Sequence, residues 1–237
     1  EINLPEGLEE IGEEAFSHCY TLKSIVIPDS VKTVGSNAFY VCENLKEITI
    51  GKDVSSKDLT QWGCDNYVNT LYLPDGMEEI KDNQFESLLH LKSVKIPDSV
   101  KRIGNYAFGG CISLEEINLP EGLEEIGESA FFFSSLVSVK ISDSVKTVGD
   151  YAFSYCFDLK QVIIAGKDTE INCLFNFDID NSDLKIYGLS GSRAEQTAAP
   201  DQNIINFIAL EAIDKEGHGY VADRVITPST CSTPGEY

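Results

Sequence analysis

The stretch Ile25-Val-Ile-Pro-Asp-Ser-Val-Lys-Thr-Val-Gly-Ser-Asn-Ala-Phe-Tyr-Val-Cys-Glu-Asn-Leu45 determines the architecture of this chain, because versions of it recur along the sequence. Residues 1–16 return as residues 116–131 with one change, Glu14 against Ser129, and this shift of 115 residues is five times 23. Self-similarity at a fixed period is typical of repeat proteins. The units begin at Ile2, Ile25, Ile48, Leu71, Val94, Ile117, Val139 and Val162.

Each unit predicts a short strand followed by a turn and a compact segment. The alternation Ile25-x-Ile27 places two apolar side chains on one side of a strand and the residue between them on the other. Pro28 ends the strand, because proline has no N–H to donate to a ladder. One unit cannot bury its own apolar side, but units stacked about 4.8 Å apart cover one another. The sequence therefore predicts a solenoid of about eight rungs, each rung being one unit of 22–23 residues.

Three rungs depart from the pattern. The sixth rung, from Ile117, is one residue short and lacks the cysteine position near Ser134. The third and eighth rungs share Gly-Lys-Asp, at residues 51–53 and 166–168, in place of Pro-x-x, and their middles are degenerate. The larger period is therefore interpreted as a block of five rungs that was copied once, incompletely.

The consensus Leu/Ile-Pro-x-x-Leu/Val-x-x-Ile/Val-Gly-x-x-Ala-Phe-x-x-Cys-x-x-Leu resembles the BspA-type leucine-rich repeat, also called the Treponema-type repeat, over residues 1–187. This resemblance implies an α/β repeat solenoid with short parallel strands. It also implies a cell-surface or secreted protein, since the family occurs mostly in such proteins of host-associated bacteria and in some protists. There it serves adhesion and host-protein binding, so we expect a protein partner such as a host extracellular-matrix or receptor protein.

The repeats are followed by a segment predicted to close the stack. Leu184 to Gly188 is predicted to form one last strand, and Ser192-Arg-Ala-Glu195 has the spacing of a capping box that begins a short helix. A closing strand is predicted over residues 204–210. Similar Tyr-Gly-x-x-Gly-Ser-x-Ala-Glu segments end repeat arrays in the family that the chain resembles. We expect a leucine-rich repeat solenoid over 1–187, a C-terminal cap over 188–210, and a tail or linker over 211–237.

The charge balance and hydropathy exclude two classes of partner. Thirty-nine acidic and 18 basic residues give a net charge of −21, which repels the phosphates of nucleic acids. No apolar run approaches the roughly 18 residues that a membrane-spanning helix requires, so we expect no direct membrane insertion in this fragment. Glu1 lies inside a repeat, without an initiator Met or a signal-peptide pattern, so we expect a fragment or a mature form.

The sequence offers no convergent set of catalytic residues. The histidines are His18, His90 and His218, and each is interpreted as an exposed loop residue. No phosphate-binding loop, nucleophile elbow or His-Glu-x-x-His motif is present. We therefore expect a non-enzymatic protein that uses no cofactor. The acidic run over residues 178–183 favours a solvated turn, with a calcium loop as the alternative, because it lacks the glycine and the distal glutamate of an EF-hand.

Four cysteines share one repeat position: Cys19, Cys42, Cys111 and Cys156. Leu88 fills this position in the fourth rung, which indicates a column of small buried apolar groups. A disulfide between Cys19 and Cys42 is the alternative. Cys64, Cys173 and Cys231 lie outside the column.

Charged pairs precede the second buried aliphatic residue of the rungs and alternate in sign. The pairs are Glu9-Glu10, Lys32-Thr33, Glu78-Glu79, Lys101-Arg102, Glu124-Glu125 and Lys146-Thr147. Opposite charges attract on neighbouring rungs, whereas a slip of one rung would oppose like charges. This charge ladder is interpreted as a device for register and solubility.

If the strands form one parallel sheet, the residue between the two apolar positions lies on an open surface. Solenoids usually bind extended partners on such surfaces. The candidate binding residues of this row are Val26, Thr49, Tyr72, Lys95, Asn118 and Lys140, with Tyr72 and Lys95 as the expected anchors. Trp62 and Tyr67 of the irregular third rung are further candidates, and Trp62 either fills the core or protrudes as a contact residue.

The sequence therefore predicts a non-enzymatic protein-binding or adhesion module that presents an open sheet face. The alternative is a rigid spacer or stalk that holds another domain away from the cell, since regular rungs alone suffice for that role. A carbohydrate-binding module is a third class, for which several aromatic residues would be expected on one open surface.

Overall fold

The computed structural model describes residues 2–171, 173–175, 184–197, 207–213, 219–221 and 224–226. These residues form a solenoid of parallel strands with a repeat of about 23 residues, which confirms the predicted architecture. In chain order the elements are β1 Glu10–Ile11, β2 Ser24–Val26, β3 Thr33–Val34, β4 Glu47–Thr49, α1 Ser56–Trp62, β5 Thr70–Tyr72, β6 Glu79–Ile80, β7 Ser93–Lys95, β8 Arg102–Ile103, β9 Glu116–Ile117, β10 Glu125–Ile126, β11 Ser138–Ile141, β12 Thr147–Val148, β13 Gln161–Ile164, β14 Glu170–Ile171, β15 Lys185–Leu189, α2 Arg193–Thr197, β16 Phe207–Leu210, β17 Ala212–Ile213, β18 Gly219–Val221 and β19 Arg224–Ile226.

The first ladder consists of the strands that begin the rungs. It runs in the order β2-β4-β5-β7-β9 and continues as a second sheet, β11-β13-β15-β16, with all neighbours parallel. Ile25 is in register with Ile48, and Ile48 with Leu71, so the apolar positions lie on their counterparts as predicted. The break between β9 and β11 falls at the sixth rung, which is one residue short.

The second ladder is built from two-residue strands at the charged pairs. β1 pairs with β3, and a separate sheet runs in the order β6-β8-β10-β12-β14. Each strand except β3 contributes one buried aliphatic side chain, such as Ile80 and Ile103, which are fully covered, whereas Val34 of β3 is half-buried. The third rung supplies no strand to this ladder, so β3 and β6 face each other across a missing position.

The flank of the solenoid carries the Ala-Phe segments, which are built from turns. The N–H of Phe108 donates to the carbonyl of Ala130 at 2.8 Å, and the N–H of Phe131 donates to the carbonyl of Ala152 at 2.9 Å. These bonds form a flank ladder. The buried Phe108, Phe131 and Phe153 rings stack with centroids 5.4–5.6 Å apart and interplanar angles of 6°. Tight turns on this flank place many non-glycine residues at positive φ, among them Val41, Phe133 and Tyr155.

The repeated glycine of each rung is required by the rung before it. A Cβ on Gly127 would lie 2.6 Å from the backbone nitrogen of Asn105. Gly12, in the first rung, has nothing within 4 Å of such a Cβ. In the fourth rung the equivalent residue is Lys81, which has no second-ladder strand of a preceding rung beside it. The glycine is therefore required sterically where the backbone of the preceding rung packs against it, as at Gly127, whereas Gly12 has no such contact.

The column of cysteines consists of free thiols. Cys42, Cys111 and Cys156 are buried, and each thiol donates to a phenylalanine carbonyl of the preceding rung: Phe16, Phe85 and Phe131, at 3.0–3.2 Å. Burial raises the pKa of the Cys111 thiol to about 12. Cys19 and Cys42 are both free, so the disulfide alternative was wrong and the buried-column interpretation is the one that the structure supports.

The third rung forms helix α1 in place of the second strand. The Asp58 carboxylate accepts hydrogen bonds from the Ser55 N–H at 2.8 Å and the Ser55 hydroxyl at 2.7 Å, which begins the helix. Gly63 ends it in the left-handed conformation, with φ of 75°. The last helical carbonyls, of Gln61 and Trp62, accept the N–H groups of Asn37 and Phe39, so the helix replaces the missing turn in the flank ladder.

Beyond the rungs, β15 and β16 extend the first ladder, and α2 packs near β14 and β15. The N–H of Glu195 donates to the Ser192 hydroxyl at 3.3 Å, as the capping-box spacing predicts. Of the predicted closing strand over 204–210, residues 207–210 are described and form β16. The stretch expected to be a tail contains the antiparallel strands β17, β18 and β19, a regular structure that its sequence did not indicate. The boundaries of the three parts stay predictions.

Candidate functional site: the open sheet face

The open sheet face is the outward row of the first ladder: Asn3, Val26, Thr49, Tyr72, Lys95, Asn118 and Lys140. Register places Val26 beside Thr49, Thr49 beside Tyr72, and Tyr72 beside Lys95. These four residues therefore form a continuous row with steps of about 4.8 Å. Asn118 and Lys140 lie on opposite sides of the break between β9 and β11.

The row is open to solvent over its first seven rungs. Val26 is 55% exposed, which is unusual for an aliphatic residue on a strand. Asn3, Lys95 and Asn118 are also exposed, whereas Thr49, Tyr72 and Lys140 are half-buried. At the eighth rung the equivalent residue, Ile163, is only 5% exposed, so the open sheet face ends before it.

Tyr72 is held in place by its neighbour on the preceding rung. Its hydroxyl donates to the Glu47 carboxylate at 3.2 Å. The negative charge of Glu47 raises the pKa of Tyr72. The ring is thus fixed with its polar end paired, beside the exposed Lys95.

Two lysines of the row, Lys95 and Lys140, differ in whether their ammonium groups form ion pairs. Lys140 pairs with Glu121 at 2.8 Å. Among the described residues, no ion pair holds the ammonium group of Lys95. Lys95 is therefore the cation of this row that is better placed to meet a carboxylate of a partner.

The two candidates from the third rung have different positions. Tyr67 is half-buried, with the Lys46 ammonium 5.9 Å from its ring centroid, a cation–π contact. Trp62 is only 5% exposed and packs edge-on against Phe39, with ring centroids 6.4 Å apart. The interpretation of Trp62 as a protruding contact residue was wrong, because α1 directs its side chain into the core.

The charge ladder has the contacts that its alternation predicts. Arg102 lies between the fourth and sixth rungs and pairs with Glu79, Asp82 at 3.0 Å and Glu125 at 3.3 Å. Lys32 pairs with Glu9 at 2.9 Å, and Lys146 pairs with Glu124. The Asn105 N–H and the Arg102 guanidinium hold the pKa of Asp82 below its ordinary value. The charged side chains in these pairs are therefore neutralised by partners within the protein itself.

An aromatic cluster on the flank was missed by the sequence interpretation. It consists of Phe132, Phe133, Tyr155 and Phe157, with Phe133 and Phe157 exposed by 42% and 61%. The Phe133 and Tyr155 rings stack on each other at 4.8 Å. Phe157 contacts Phe133 and Tyr155 only edge-on, so several aromatic side chains stay exposed on one surface. The run Phe131-Phe132-Phe133 was the available signal, but the positive φ of Phe133 that directs it outward has no sequence signature.

The described residues show few features of a chemical site. The His18 ring lies 2.8 Å from the Ser17 hydroxyl and makes edge contacts with Tyr20 and Tyr40, all on the surface. Within the described ranges no three potential metal ligands converge, and no helix is long and apolar enough to cross a membrane. The acidic run over 178–183 and His218 lie outside the described residues.

Comparison with solved structures finds similar proteins from several bacteria. A leucine-rich repeat protein from Bacteroides ovatus is 30% identical, with a TM-score of 0.54 over 90% of this chain and 57% of that chain. A leucine rich cell surface protein from Faecalibacterium prausnitzii is 24% identical, with a TM-score of 0.46 over 82% of this chain and 61% of that chain. The pneumococcal vaccine antigen PcpA is 18% identical, with a TM-score of 0.42, over 86% of this chain and 72% of that chain.

The chain thus spans less than two thirds of the first two of these proteins. A comparison with curated proteins finds no significant match. The family model described as the BspA type leucine rich repeat region matches with six copies, over residues 1–94 and 78–185. These residues include the second ladder, the first ladder from β2 to β13, and the whole candidate row. The chain belongs to the BspA-type leucine-rich repeat family.

Proposed function

We propose that this chain is a non-enzymatic protein-binding or adhesion module of a cell-surface or secreted protein, and that it binds its partner through the open sheet face. The observation that carries the proposal is the uncovered row on β2, β4, β5 and β7, where Val26, Tyr72 and Lys95 lie in register and exposed or half-exposed. Membership of a repeat family whose fold serves protein interaction supports it.

The chemistry of the row favours a protein partner with an acidic and apolar contact surface. Val26 offers apolar area, Tyr72 offers a rigid ring whose hydroxyl is already paired with Glu47, and Lys95 offers a cation. Aromatic and long cationic side chains concentrate binding energy in protein interfaces. Because the chain carries a net charge of −21, the Lys95 region is a local exception to its overall repulsion of acidic partners.

The test is binding to a panel of host extracellular-matrix and serum proteins at physiological salt, with a Tyr72→Ala/Lys95→Ala variant. We expect saturable binding that this variant weakens at least tenfold, about 1.4 kcal/mol. The control is Tyr20→Ala/Lys101→Ala, which removes the same residue types from exposed positions outside the row. Equal weakening by both variants would exclude the open sheet face as the site. Absence of binding by the folded protein would favour the spacer.

A further inference from the structure

The missing strand of the third rung leaves a groove on the side of the solenoid. We call it the third-rung groove. Its volume is about 870 Å³. One wall is formed by residues 27–34, which lead into β3 and include it. The turn at residues 74–76 forms another wall. The irregular turn at residues 51–54 and one side of α1 form its floor.

The width of the gap in the second ladder matches one strand. β3 belongs to the second rung and β6 to the fourth, and no described strand lies between them in this ladder. Neighbouring strands are about 4.8 Å apart, so the missing position corresponds to one extended chain beside β3.

The β3 side of the groove is an open strand edge. Between the first and second rungs, the carbonyls of Glu9 and Ile11 accept hydrogen bonds from the N–H groups of Lys32 and Gly35 at 2.9 and 2.8 Å. The equivalent carbonyls one rung later belong to Lys32 and Val34, and they point to the side where the third rung has no strand. Exposed edges of this kind template the addition of a further strand.

The opposite side is closed by a side chain that the regular rungs do not have. Gln84 occupies the alanine position of the fourth rung and is 5% exposed. Its carbonyl accepts the Lys81 N–H at 2.8 Å, and its amide donates to the carbonyls of Lys52 and Val54 at 3.0 and 2.8 Å. The Lys81 ammonium also pairs with Asp53 at 2.7 Å. The irregular turn is therefore tied to the fourth rung, and the second-rung edge stays free.

The groove combines an apolar lining with an acidic rim. Val31, Val34 and Val54 line it as half-buried residues. The rim has exposed Asp29 and Asp75, one on each wall. Of the other charged residues that line the groove, Lys32 is paired with Glu9, Asp53 is paired with Lys81, and Asp58 accepts hydrogen bonds from Ser55. Lys52 is exposed on the irregular turn. This distribution complements a strand with apolar side chains on one face and cationic side chains on the other.

We propose that the third-rung groove binds a basic, extended peptide segment of a partner protein, which adds as a strand beside β3. The backbone of the peptide would pair with the Lys32 and Val34 carbonyls, its apolar side chains would contact the valines, and its cations would meet Asp29 and Asp75. The groove lies apart from the open sheet face, so the proposal does not depend on that face as a binding site.

The test uses a fluorescein-labelled peptide of sequence Lys-Val-Lys-Val-Lys-Val-Lys, with fluorescence anisotropy on the whole chain as the readout. We expect saturable binding that Asp29→Lys/Asp75→Lys weakens at least tenfold. The matched control is Asp98→Lys/Asp143→Lys, which makes the same charge change at the same repeat position of the fifth and seventh rungs. We expect this control to weaken binding less than twofold, and Tyr72→Ala/Lys95→Ala to leave it unchanged.

Two N-methylated peptides test the backbone pairing. One is methylated at the valine amides and the other at alternate lysine amides, which removes the donors from one edge of the strand at a time. We expect one of them to lose binding at least tenfold and the other to retain it. Equal weakening by the two aspartate pairs, equal binding of both methylated peptides, or no saturable binding up to about 1 mM would overturn the proposal. So would a dimer in sedimentation that Asp29→Lys/Asp75→Lys dissociates, since a second copy would then fill the groove.

Discussion

The third and sixth rungs begin with the same type of strand and differ in everything that follows. The sixth rung continues through Ile126-Gly127 into the stacked Ala130-Phe131 and takes part in both the second and the flank ladders. The third rung continues through Gly51-Lys52-Asp53 into α1. A rung therefore adapts to the rungs beside it. The fourth rung, which follows the irregular third one, has Lys81 in place of the repeated glycine and Gln84 in place of the repeated alanine.

The first way to test this difference between the rungs is to measure the contribution of the aromatic residue that each one buries. Phe131→Ala and Trp62→Ala should each lower the free energy of unfolding by about 3–5 kcal/mol, because both side chains fill the same core. Urea unfolding followed by circular dichroism provides the measurement. Phe157→Ala, at a 61% exposed position, is the control and should change stability by less than about 0.5 kcal/mol. A Trp62 effect as small as that of the control would contradict the burial of Trp62.

The second way is to place a side chain at the glycine position. Gly127→Val should lower the free energy of unfolding by about 2–3 kcal/mol, since its Cβ would lie 2.6 Å from the Asn105 nitrogen and the backbone must shift. Lys81→Val, at the equivalent position of the fourth rung, should cost less than about 0.5 kcal/mol. Thermal unfolding of both variants measures the difference. If the two variants were equally destabilised, the rung before would not be the cause of the glycine requirement.

The third way is to remove the side chain that replaces the missing strand. Gln84→Ala should destabilise the protein by about 1–3 kcal/mol, because it leaves the Lys81 N–H and two carbonyls of the irregular turn without their partner. Gln61→Ala, at an exposed position of α1, is the matched control and should be nearly neutral. Hydrogen exchange should also quicken at the Lys81 amide in the Gln84 variant alone. Unchanged exchange there would argue against the bridging role of Gln84.

The smallest expected effect concerns the left-handed turns of the flank. Val41 has φ of 55°, a conformation that is unfavourable for a β-branched residue, whereas the fifth rung has Gly110 at the same position, with φ of 74°. Val41→Gly should therefore raise the free energy of unfolding by about 1 kcal/mol. The reverse change, Gly110→Val, should lower it by at least as much. Chemical denaturation of the pair measures both signs, and a destabilised Val41→Gly would show that side-chain packing outweighs backbone strain there.

Sequence reasoning was sufficient where a feature recurs. The apolar register of Ile25 and Ile48, the cysteine column and the alternating charges all follow from repetition, because a stacked position must suit its counterparts one rung away. It was also sufficient for the membership of the open row, since side chains alternate along a strand. The exposure of Val26 agrees with its place in this row, whereas the burial of Ile163 was not predictable, because it depends on what lies over that end of the sheet.

Features that occur once were beyond the pattern. Trp62 has no counterpart in other rungs, so only the helix that carries it reveals its direction. The strand gap behind the third-rung groove is visible in the sequence only as degenerate spacing. Gln84 was its available signal, since glutamine replaces alanine in the rung that follows the irregular one. The aromatic cluster depends on the positive φ values of the flank residues, which cannot be predicted from these residue types.

The junction between the third and fourth rungs has a mechanical consequence. Among the described residues, the flank and second ladders supply no backbone hydrogen bonds there, so the first ladder, the side chain of Gln84 and the ion pair between Lys81 and Asp53 carry the connection. We expect tension along the solenoid axis to separate the third rung from the fourth first, so that the first three rungs are released as a unit. In single-molecule pulling, this release would be the lowest-force step, and the Gln84→Ala variant would lower that force further.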